Sequence, residues 1–464
     1  MKRVLLVVMV ALFSVSVSEA QQSLNMTMLS NWDDPSLPSG WTGQYSDVWG
    51  YADNQNREYA ILGVMFGTYF IDVTDPVNPV VIDYVASKDQ VNHGVHRDYK
   101  TYQNYCYAVS DEGQNSLQII DMQYLPDSVH VVYDSDVFSK RCHNIFISDE
   151  KLYLASNTVG NSFNAMDVFS LANPESPTFL STLFSTQFYH VHDVFVKNDT
   201  AYCSNGNDGL FVYDYSDPVN PSLISSLTMY PQQGYNHSSW VTDDSRTIVF
   251  ADENHGKAMK LYDIADIQNP ALYGMFQTNL LNVPNPSSQD GSIPHNPFIV
   301  GDKVIISYYH DGVQIYDISD PSNVTNVAYY DTYPQSVNYS GYQGCWGVYP
   351  YLPSGKILAS DISNGLFVLD ASTVLGIGGP DTPSLNIVTY PNPFSTELNV
   401  MIPQDLNGLI SIEIFDMAGK LVYSNEGYFA GTTLSVPIAK LAKGVYGLKV
   451  NSGNALFNQK VIRN

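Results

Sequence analysis

Histidine and tryptophan residues recur along the chain at nearly constant intervals, and their side chains are the first candidates for chemistry. Seven positions make up the series: Trp49, His96, His143, His192, His237, His295 and Trp346. Neighbouring members are 47, 47, 49, 45, 58 and 51 residues apart. A polar residue follows several of the histidines, as in Asn144 and Asp193. If each interval is one unit of a closed ring, the equivalent positions should meet at one end of its central channel.

Acidic residues are expected at the same end of the channel, because turns within each unit would bring carboxylates there. Imidazole nitrogens backed by carboxylate oxygens suit a divalent metal ion, and zinc and calcium are the candidate ions. The predicted metal or ligand residues are His96, His143, His192, His237, His295, Asp252 and Glu253. Trp49 and Trp346 are the predicted aromatic residues of the channel mouth.

Three interpretations of this ring remain open from the residues alone. Such mouths are wet, so His, Asn and Asp side chains can bond to one another and to water without any ligand. The same side chains can hold a metal ion or another ligand. With a coordination position left for water, a metal site can also be catalytic, although the pattern assigns no catalytic residue.

The elements that must position these residues come from an internal repeat. The strings FIDVTDPVNP (70–79), VYDYSDPVNP (212–221), LYDIADIQNP (261–270) and IYDISDPSNV (315–324) are copies of one motif. With three weaker copies included, the shared aspartate falls at 72, 121, 167, 214, 263, 317 and 370. Seven repeats with a period near 45–50 residues, built from short strands, predict an all-β protein with a seven-bladed β-propeller.

The segment 192–228 shows how one blade is built. The strands HDVFVKND and TAYCSN lead to a hairpin at Asn207-Asp208-Gly209, where glycine accepts positive φ. The strand LFVYDY, the turn SDPVNP and the strand SLISSL follow. In that turn the proline fixes φ, and the aspartate is expected to bond to backbone amides, with calcium binding as the alternative.

The last blade needs a strand from elsewhere in the chain. The seventh repeat, 344–370, lacks a fourth strand, and the segment 24–32 resembles the fourth strands of other repeats. We therefore expect 24–32 to close the ring, since blade seven would otherwise keep an unpaired edge. The predicted domains are a propeller over 21–371, a Gly/Pro-rich linker over 372–385, and a small Ig-like sandwich over 386–464.

Composition and the N-terminus narrow the function classes. The formal charge of −25 argues against nucleic-acid binding. Lys2 and Arg3 precede a short apolar run that ends in small residues at Ala20, which predicts a signal peptide over 1–20. We expect no transmembrane segment in the mature chain. The four cysteines form no metal-binding CxxC motif, and both a Cys106–Cys142 bridge and buried thiols fit their positions.

The C-terminal segment resembles the type IX secretion sorting domain of Bacteroidota. The matching motifs are YPNPF (with Pro391, Asn392 and Pro393), DMAGK (with Gly419), GVY (with Gly444) and the closing KVI (with Lys460). The resemblance implies periplasmic transit and recognition by the type IX translocon. It further implies removal of the domain by a sortase, followed by release or attachment at the cell surface.

The remainder resembles the LVIVD-repeat proteins, in particular the kind called choice-of-anchor B. The matching stretches are 47–79, 97–113, 236–253 and 344–370. His143, His192, His237 and His295 agree with the family pattern, whereas His96 stands where tryptophan is usual. His93 lies close by and could take that place. The family carries no established reaction, so the resemblance leaves the chemistry open.

These observations predict a secreted or cell-surface propeller that binds an extracellular ligand, glycan or protein. A metal-dependent hydrolase or lyase that uses the His/Asp/Glu cluster is the first alternative. A structural surface or adhesion component is the second. No GxSxG, HExxH or P-loop motif occurs, so the enzyme classes that carry those motifs lack support.

Overall fold

Short antiparallel strands account for nearly all regular structure in this computed structural model. It describes residues 22–40, 43–92, 94–279, 291–335, 339–375, 387–390, 394, 397–402, 409–416, 420–429, 431–436, 441–452 and 455–463. The predicted signal peptide, His93 and residues 376–385 of the predicted linker lie outside these ranges. Within them, no helix has the length and apolar character needed to cross a bilayer. The chain divides into two compact units, Met1–Ala371 and Ser372–Asn464.

The first unit begins with two N-terminal strands and continues with regular four-stranded blades. The N-terminal strands are β1 (Ser23–Leu24) and β2 (Thr27–Trp32). Blade 1 contains β3 (Tyr45–Ala52), β4 (Glu58–Val64), β5 (Gly67–Asp72) and β6 (Val80–Ala86). Blade 2 contains β7 (Arg97–Tyr102), β8 (Tyr105–Ser110), β9 (Leu117–Asp121) and β10 (His130–Ser135). Blade 3 contains β11 (Asn144–Ser148), β12 (Lys151–Val159), β13 (Ser162–Ser170) and β14 (Thr178–Leu183).

The remaining blades follow the same order. Blade 4 contains β15 (Asp193–Lys197), β16 (Thr200–Ser204), β17 (Leu210–Asp214) and β18 (Ser222–Leu227). Blade 5 contains β19 (Asn236–Val241), β20 (Thr247–Asp252), β21 (Met259–Asp263) and β22 (Ala271–Phe276). Blade 6 contains β23 (Pro297–Val300), β24 (Lys303–Ser307), β25 (Val313–Asp317) and β26 (Thr325–Tyr330). Blade 7 contributes β27 (Cys345–Tyr349), β28 (Lys356–Asp361) and β29 (Gly365–Asp370). The all-β, seven-bladed propeller predicted from the repeat is thus confirmed.

The N-terminal strands join the last two blades. β2 pairs antiparallel with β29, from Thr27 opposite Asp370 to Trp32 opposite Leu366, and forms the outer strand of blade 7. β1 pairs instead with β26 and becomes a fifth strand of blade 6. The segment 24–32 is therefore divided between two blades rather than being one strand.

Local sequence explains the turns of each blade. In the Asp-Pro turns, the carboxylate Oδ1 accepts the backbone N–H two residues later, as in Asp214 with Ser216 at 2.8 Å. In the hairpin of blade 4, Gly209 has φ +94°, and a Cβ there would collide with the carbonyl oxygen of Leu227 at the end of β18. Only glycine combines that φ with that approach.

Apolar packing between neighbouring blades forms the propeller core. Between blades 1 and 2, for example, Ile61 and Phe70 pack with Cys106 and Ile120, all of them fully buried. Cys106, Cys142, Cys203 and Cys345 are all buried free thiols, and no bridge joins Cys106 to Cys142. The innermost strands pack side by side around the central channel, so residues at their starts surround one channel mouth.

The second unit is a small two-sheet sandwich preceded by the short helix α1 (Ser372–Leu375). One sheet has the order β30-β31-β34 and the other β33-β32-β35-β36. The strands are β30 (Val388–Tyr390), β31 (Leu398–Met401), β32 (Ile410–Asp416), β33 (Leu421–Gly427), β34 (Thr433–Val436), β35 (Gly444–Ser452) and β36 (Ala455–Arg463). Alternating inward residues such as Val400, Ile412 and Val450 form its core.

Candidate functional site

Four imidazoles from consecutive blades form an arc at one channel mouth. His143, His192 and His295 stand just before the innermost strands β11, β15 and β23, and His237 is the second residue of β19. The ring centroids of neighbouring imidazoles are 3.9 Å apart for His143 and His192, and 4.4 Å for His192 and His237. The last neighbours, His237 and His295, are 4.3 Å apart. We call these four residues the histidine arc.

Hydrogen bonds from the scaffold orient the arc. Asp111, in the loop between β8 and β9, bonds to His143 Nδ1 at 2.7 Å. The Tyr235 hydroxyl bonds to His192 Nδ1 at 3.0 Å, and His295 Nδ1 donates to the Trp346 carbonyl oxygen at 2.6 Å. With Nδ1 engaged in this way, Nε2 of each ring points into the cluster, and the Nε2 atoms of His143 and His192 are only 2.9 Å apart.

Glu253 adds a carboxylate to the far end of the arc. Its Oε2 lies 3.7 Å from His237 Nε2, and its Oε1 lies 3.8 Å from His295 Nε2. Both distances exceed a hydrogen bond. The buried Tyr309 hydroxyl donates to Glu253 Oε1 at 2.8 Å and fixes the carboxylate in place.

Burial decides which of these groups carry charge. Burial and the neighbouring imidazoles lower the pKa of His192 and of His237 well below the ordinary value, and burial lowers that of His295 to about 3. Burial also opposes charge on His143, but the Asp111 carboxylate outweighs it and raises the pKa of His143 to about 9. His143, beside Asp111, is therefore the ring among these four whose charged form is favoured. Burial raises the pKa of Glu253 to about 7.

These side chains include two overlapping sets of metal ligands. One set is His143, His192 and His237, and the other is His237, Glu253 and His295. Within each set, one nitrogen or oxygen atom per residue lies within 4.8 Å of the others. The arrangement can therefore hold a metal ion, with His237 common to both sets.

His96 and Trp346 form the wall beside the arc. Their rings stack with centroids 4.8 Å apart, and Trp346 also contacts the edge of His295 at 5.2 Å. His96 Nδ1 pairs with Glu112 at 3.1 Å. Both residues line the mouth cavity together with His143, His237 and His295, but His96 is in neither ligand set.

Asp252 does not contribute to the arc, in contrast to the expectation from sequence. It is fully buried, forms an ion pair with Lys260, and accepts a hydrogen bond from the Tyr230 hydroxyl at 2.7 Å. The strand β20 ends at Asp252, so its side chain and that of Glu253 point in different directions. Sequence alone could not choose between two adjacent carboxylates.

Trp49 is also placed elsewhere, which corrects the expected ring of the mouth. It packs against Tyr349 and Phe298 deeper in the channel, with the Lys100 ammonium 4.1 Å from its ring centroid. The position before the channel-lining Asp47 is Ser46, so Ser46 is the counterpart of the arc histidines in blade 1. The interval of 47 residues matched Trp49 with His96 in the sequence. Because the loops differ in length between blades, that interval does not give the exact register, and Trp49 lies three residues beyond Ser46.

Two further layers of side chains line the channel behind the arc. The predicted series of histidines and tryptophans includes only Trp49 among them. The innermost segments of blades 1 to 6 each present a small or polar residue and, two positions later, a large one. The pairs are Asp47 and Trp49, Asp98 and Lys100, Asn144 and Phe146, Asp193 and Phe195, Ser238 and Trp240, and Asn296 and Phe298. Residues two apart on a strand share a face, and this alternation was visible in the sequence.

The aromatic layer narrows the deep end of the channel. Phe146 contacts Trp240 at 6.1 Å between centroids although blade 4 lies between them, and Trp49 contacts Phe298 at 6.2 Å across blade 7. Phe195 and Trp240 are 4.5 Å apart, and Trp240 and Phe298 are 4.7 Å apart. These rings reach across the channel and narrow it on the side away from the histidine arc.

The predicted sorting residues lie in the second unit. Gly444 begins β35 and Lys460 lies within β36, where these two strands pair. Pro391, Asn392, Pro393 and Gly419 lie outside the described residues.

Comparison with known families identifies the tail. Residues 388–464 match the secretion system C-terminal sorting domain. The match indicates export by type IX secretion to the cell surface or the extracellular space, and handling by that secretion machinery. No curated protein matches the chain.

Solved structures resemble the chain in fold. The WD40 repeats of RRP9 align with a TM-score of 0.52 at 10% identity, over 75% of this chain and 99% of that one. PorZ, a surface component of the type IX secretion system of Porphyromonas gingivalis, aligns with a TM-score of 0.48 at 10% identity. That alignment covers 93% of this chain but only 61% of PorZ. The RRP9 likeness supports the propeller architecture and says nothing of function.

Proposed function

We propose that this exported protein binds a small polar ligand, or the polar end of a glycan or peptide chain, in the channel mouth at the histidine arc. The observation that carries the proposal is the convergence of four imidazoles and one carboxylate on a single buried cluster. Scaffold hydrogen bonds hold Nδ1 in three of the rings and leave Nε2 turned inward. Such convergent polar groups in a concave site are typical of ligand pockets.

The shape and charge of the channel support a ligand of limited size. The aromatic layer obstructs the deep end, so a ligand enters past His96 and Trp346 and stops at the layer of Asp47, Asp98 and Asp193. Carboxylates there, and the chain's charge of −25, favour neutral or cationic groups over anions. In this proposal the sorting tail delivers the propeller outside the cell, and a sortase removes the tail.

A screen in two buffers tests this function. A glycan array and a thermal-shift panel of amino acids, amines and sugars would be run on residues 21–464, once in zinc and once in EDTA. We expect binding by wild type that is lost in Trp346→Ala, which removes the wall of the mouth. The matched control is His130→Ala, an exposed histidine that stacks on Tyr124 on the outer strand of blade 2. Binding that Trp346→Ala leaves intact would place the ligand elsewhere.

Metal-dependent hydrolysis is the second candidate function, favoured by one observation. Glu253 stands beside two imidazoles, and Tyr309 fixes it there. A carboxylate in this position is suited to accept a proton from water. Turnover of ester or phosphoester substrates by wild type, lost in Glu253→Gln with the fold unchanged, would establish it. Equal rates in both proteins would exclude it.

A further inference from the structure

We propose that the histidine arc and Glu253 bind one divalent transition-metal ion at the channel mouth. The ligand set is His143, His192, His237, His295 and Glu253. This inference rests on the proposed function, because it names the inorganic part of what the mouth pocket holds.

The distances within the cluster match a coordination sphere. Ligand atoms at about 2.0–2.1 Å from a zinc ion lie roughly 3–3.4 Å from their neighbours in a sphere of four or five ligands. Glu253 lies 3.7 Å from His237 Nε2 and 3.8 Å from His295 Nε2, too far for hydrogen bonds and near the spacing of shared ligands. His237 is common to both ligand sets, so we place the ion beside it.

The surrounding hydrogen bonds are those that prepare histidines for a metal. Asp111 accepts from His143 Nδ1, and the Trp346 carbonyl oxygen accepts from His295 Nδ1. A carboxylate or carbonyl behind Nδ1 fixes the ring and presents Nε2 to the ion. The Nε2 atoms of His143 and His192, 2.9 Å apart, face the same point, where one ion would meet both.

His237 supplies an independent observation. This side chain is only 4% exposed, and within the described part of the chain its Nδ1 has no hydrogen-bond partner. Its Nε2 lies 3.7 Å from Glu253 Oε2, which is beyond hydrogen-bond distance. Buried polar atoms are nearly always paired, so a buried imidazole with an unpaired Nδ1 indicates that the fold alone does not complete the contacts of this ring. A metal ion bound by His237 would give the ring a contact that the fold does not supply.

The donor set selects the kind of ion. Imidazole nitrogens suit zinc, copper, nickel and iron, whereas calcium and magnesium take oxygen ligands. One carboxylate among four imidazoles cannot satisfy calcium. Of the two ions that the sequence suggested, the geometry therefore favours zinc over calcium.

Metal analysis of the intact chain tests the proposal. Residues 21–464, made without a polyhistidine tag, would be stripped with EDTA, loaded with zinc or cobalt(II), and dialysed. We expect about one ion per chain, and a cobalt absorption spectrum typical of nitrogen ligation. Zinc affinity would be measured by chelator competition. It should fall roughly tenfold to a hundredfold in Asp111→Ala, because this variant loses the carboxylate that bonds to His143 Nδ1. It should fall further in His237→Ala.

Controls separate a lost site from a lost fold. His130→Ala should bind zinc as wild type does, and circular dichroism should show each variant folded. X-ray absorption of zinc-loaded wild type needs no variant and should report three or more nitrogen neighbours. Binding of less than about one ion, or affinity unchanged in His237→Ala, would overturn the metal site. If the metal site fails but ligand binding persists in EDTA, the proposed ligand-binding function still holds. If zinc binds but the screen finds no ligand, the metal site holds and the proposed function fails.

Discussion

The buried pair of Asp252 and Lys260 allows the most direct test of how blade 5 is held together. Both side chains are fully inaccessible to solvent. Besides Asp252, the Lys260 ammonium bonds to the Gln232 carbonyl oxygen at 3.1 Å, and the Tyr230 hydroxyl donates to the carboxylate at 2.7 Å. Lys260→Met retains the apolar stem and removes the charge, so the Asp252 carboxylate keeps the neutral Tyr230 donor in a site that solvent does not reach. Breaking a buried pair in this way costs about 3–5 kcal/mol.

The unfolding assay can be made specific for the propeller. The five tryptophans, Trp32, Trp41, Trp49, Trp240 and Trp346, all precede residue 372, so their fluorescence during denaturant unfolding reports the first unit alone. The matched control is Lys151→Met, because Lys151 pairs with Asp199 at 2.7 Å in a partly exposed setting. Such a pair contributes about 0–1 kcal/mol.

Two results would refute this reasoning. If Lys260→Met is no more destabilising than Lys151→Met, the Asp252–Lys260 pair is not desolvated. Alternatively, zinc binding could fall in Lys260→Met with the fold intact, which would return Asp252 to the metal site. In the double variant that also carries Asp252→Asn, we expect most of the lost stability to be recovered, because no buried charge remains.

Three further predictions follow from the closure strand, the turns and one buried carboxylate. Deleting 22–32 exposes β29 as an edge, so the fluorescence transition should shift to lower denaturant and broaden, and a peptide of 22–34 should restore it. Asp214→Ala should lower the denaturation midpoint equally with calcium and with EDTA, because Asp214 bonds to the Ser216 amide; a calcium-dependent loss would contradict this. Burial raises the pKa of Asp361 from 3.8 to about 7. The folded state therefore favours the protonated carboxyl group of Asp361. As the pH falls from about 7 to about 5, the stability of wild type should rise relative to that of Asp361→Asn; parallel profiles of stability against pH would contradict this.

The propeller could be predicted because its signals are local and repeated. An aspartate that bonds to the amide two residues later, and a glycine hairpin between the second and third strands, recur in sequence as they do in space. Seven copies with a period near 45–50 residues leave few architectures that bury every sheet. The third copy was weak, yet Asp167 still lies in β13 of a regular blade.

The candidate site could be predicted only in part, because its geometry depends on groups without a periodic signal. Tyr235 and Tyr309 reach the cluster from loops, and the Trp346 contribution is a backbone oxygen. The spacing of residues in the sequence predicts a position in the fold only to within the variation in loop length between blades. That is why Trp49 was placed at the mouth when Ser46 holds the equivalent position.

Strand register ties the three layers of the channel together. Side chains two residues apart share a face, and each residue advances about 3.3 Å, so Asn144 and Phe146 occupy successive depths behind His143. Blade 7 shows the constraint most clearly. A Cβ at Gly347 would press on the Asp47 carboxylate, so blade 7 contributes only backbone at the depth where blade 1 contributes an acid. A shift of one residue in any innermost strand would turn its polar and aromatic residues out of the channel together. The polar mouth and the aromatic layer are consequently two results of one register.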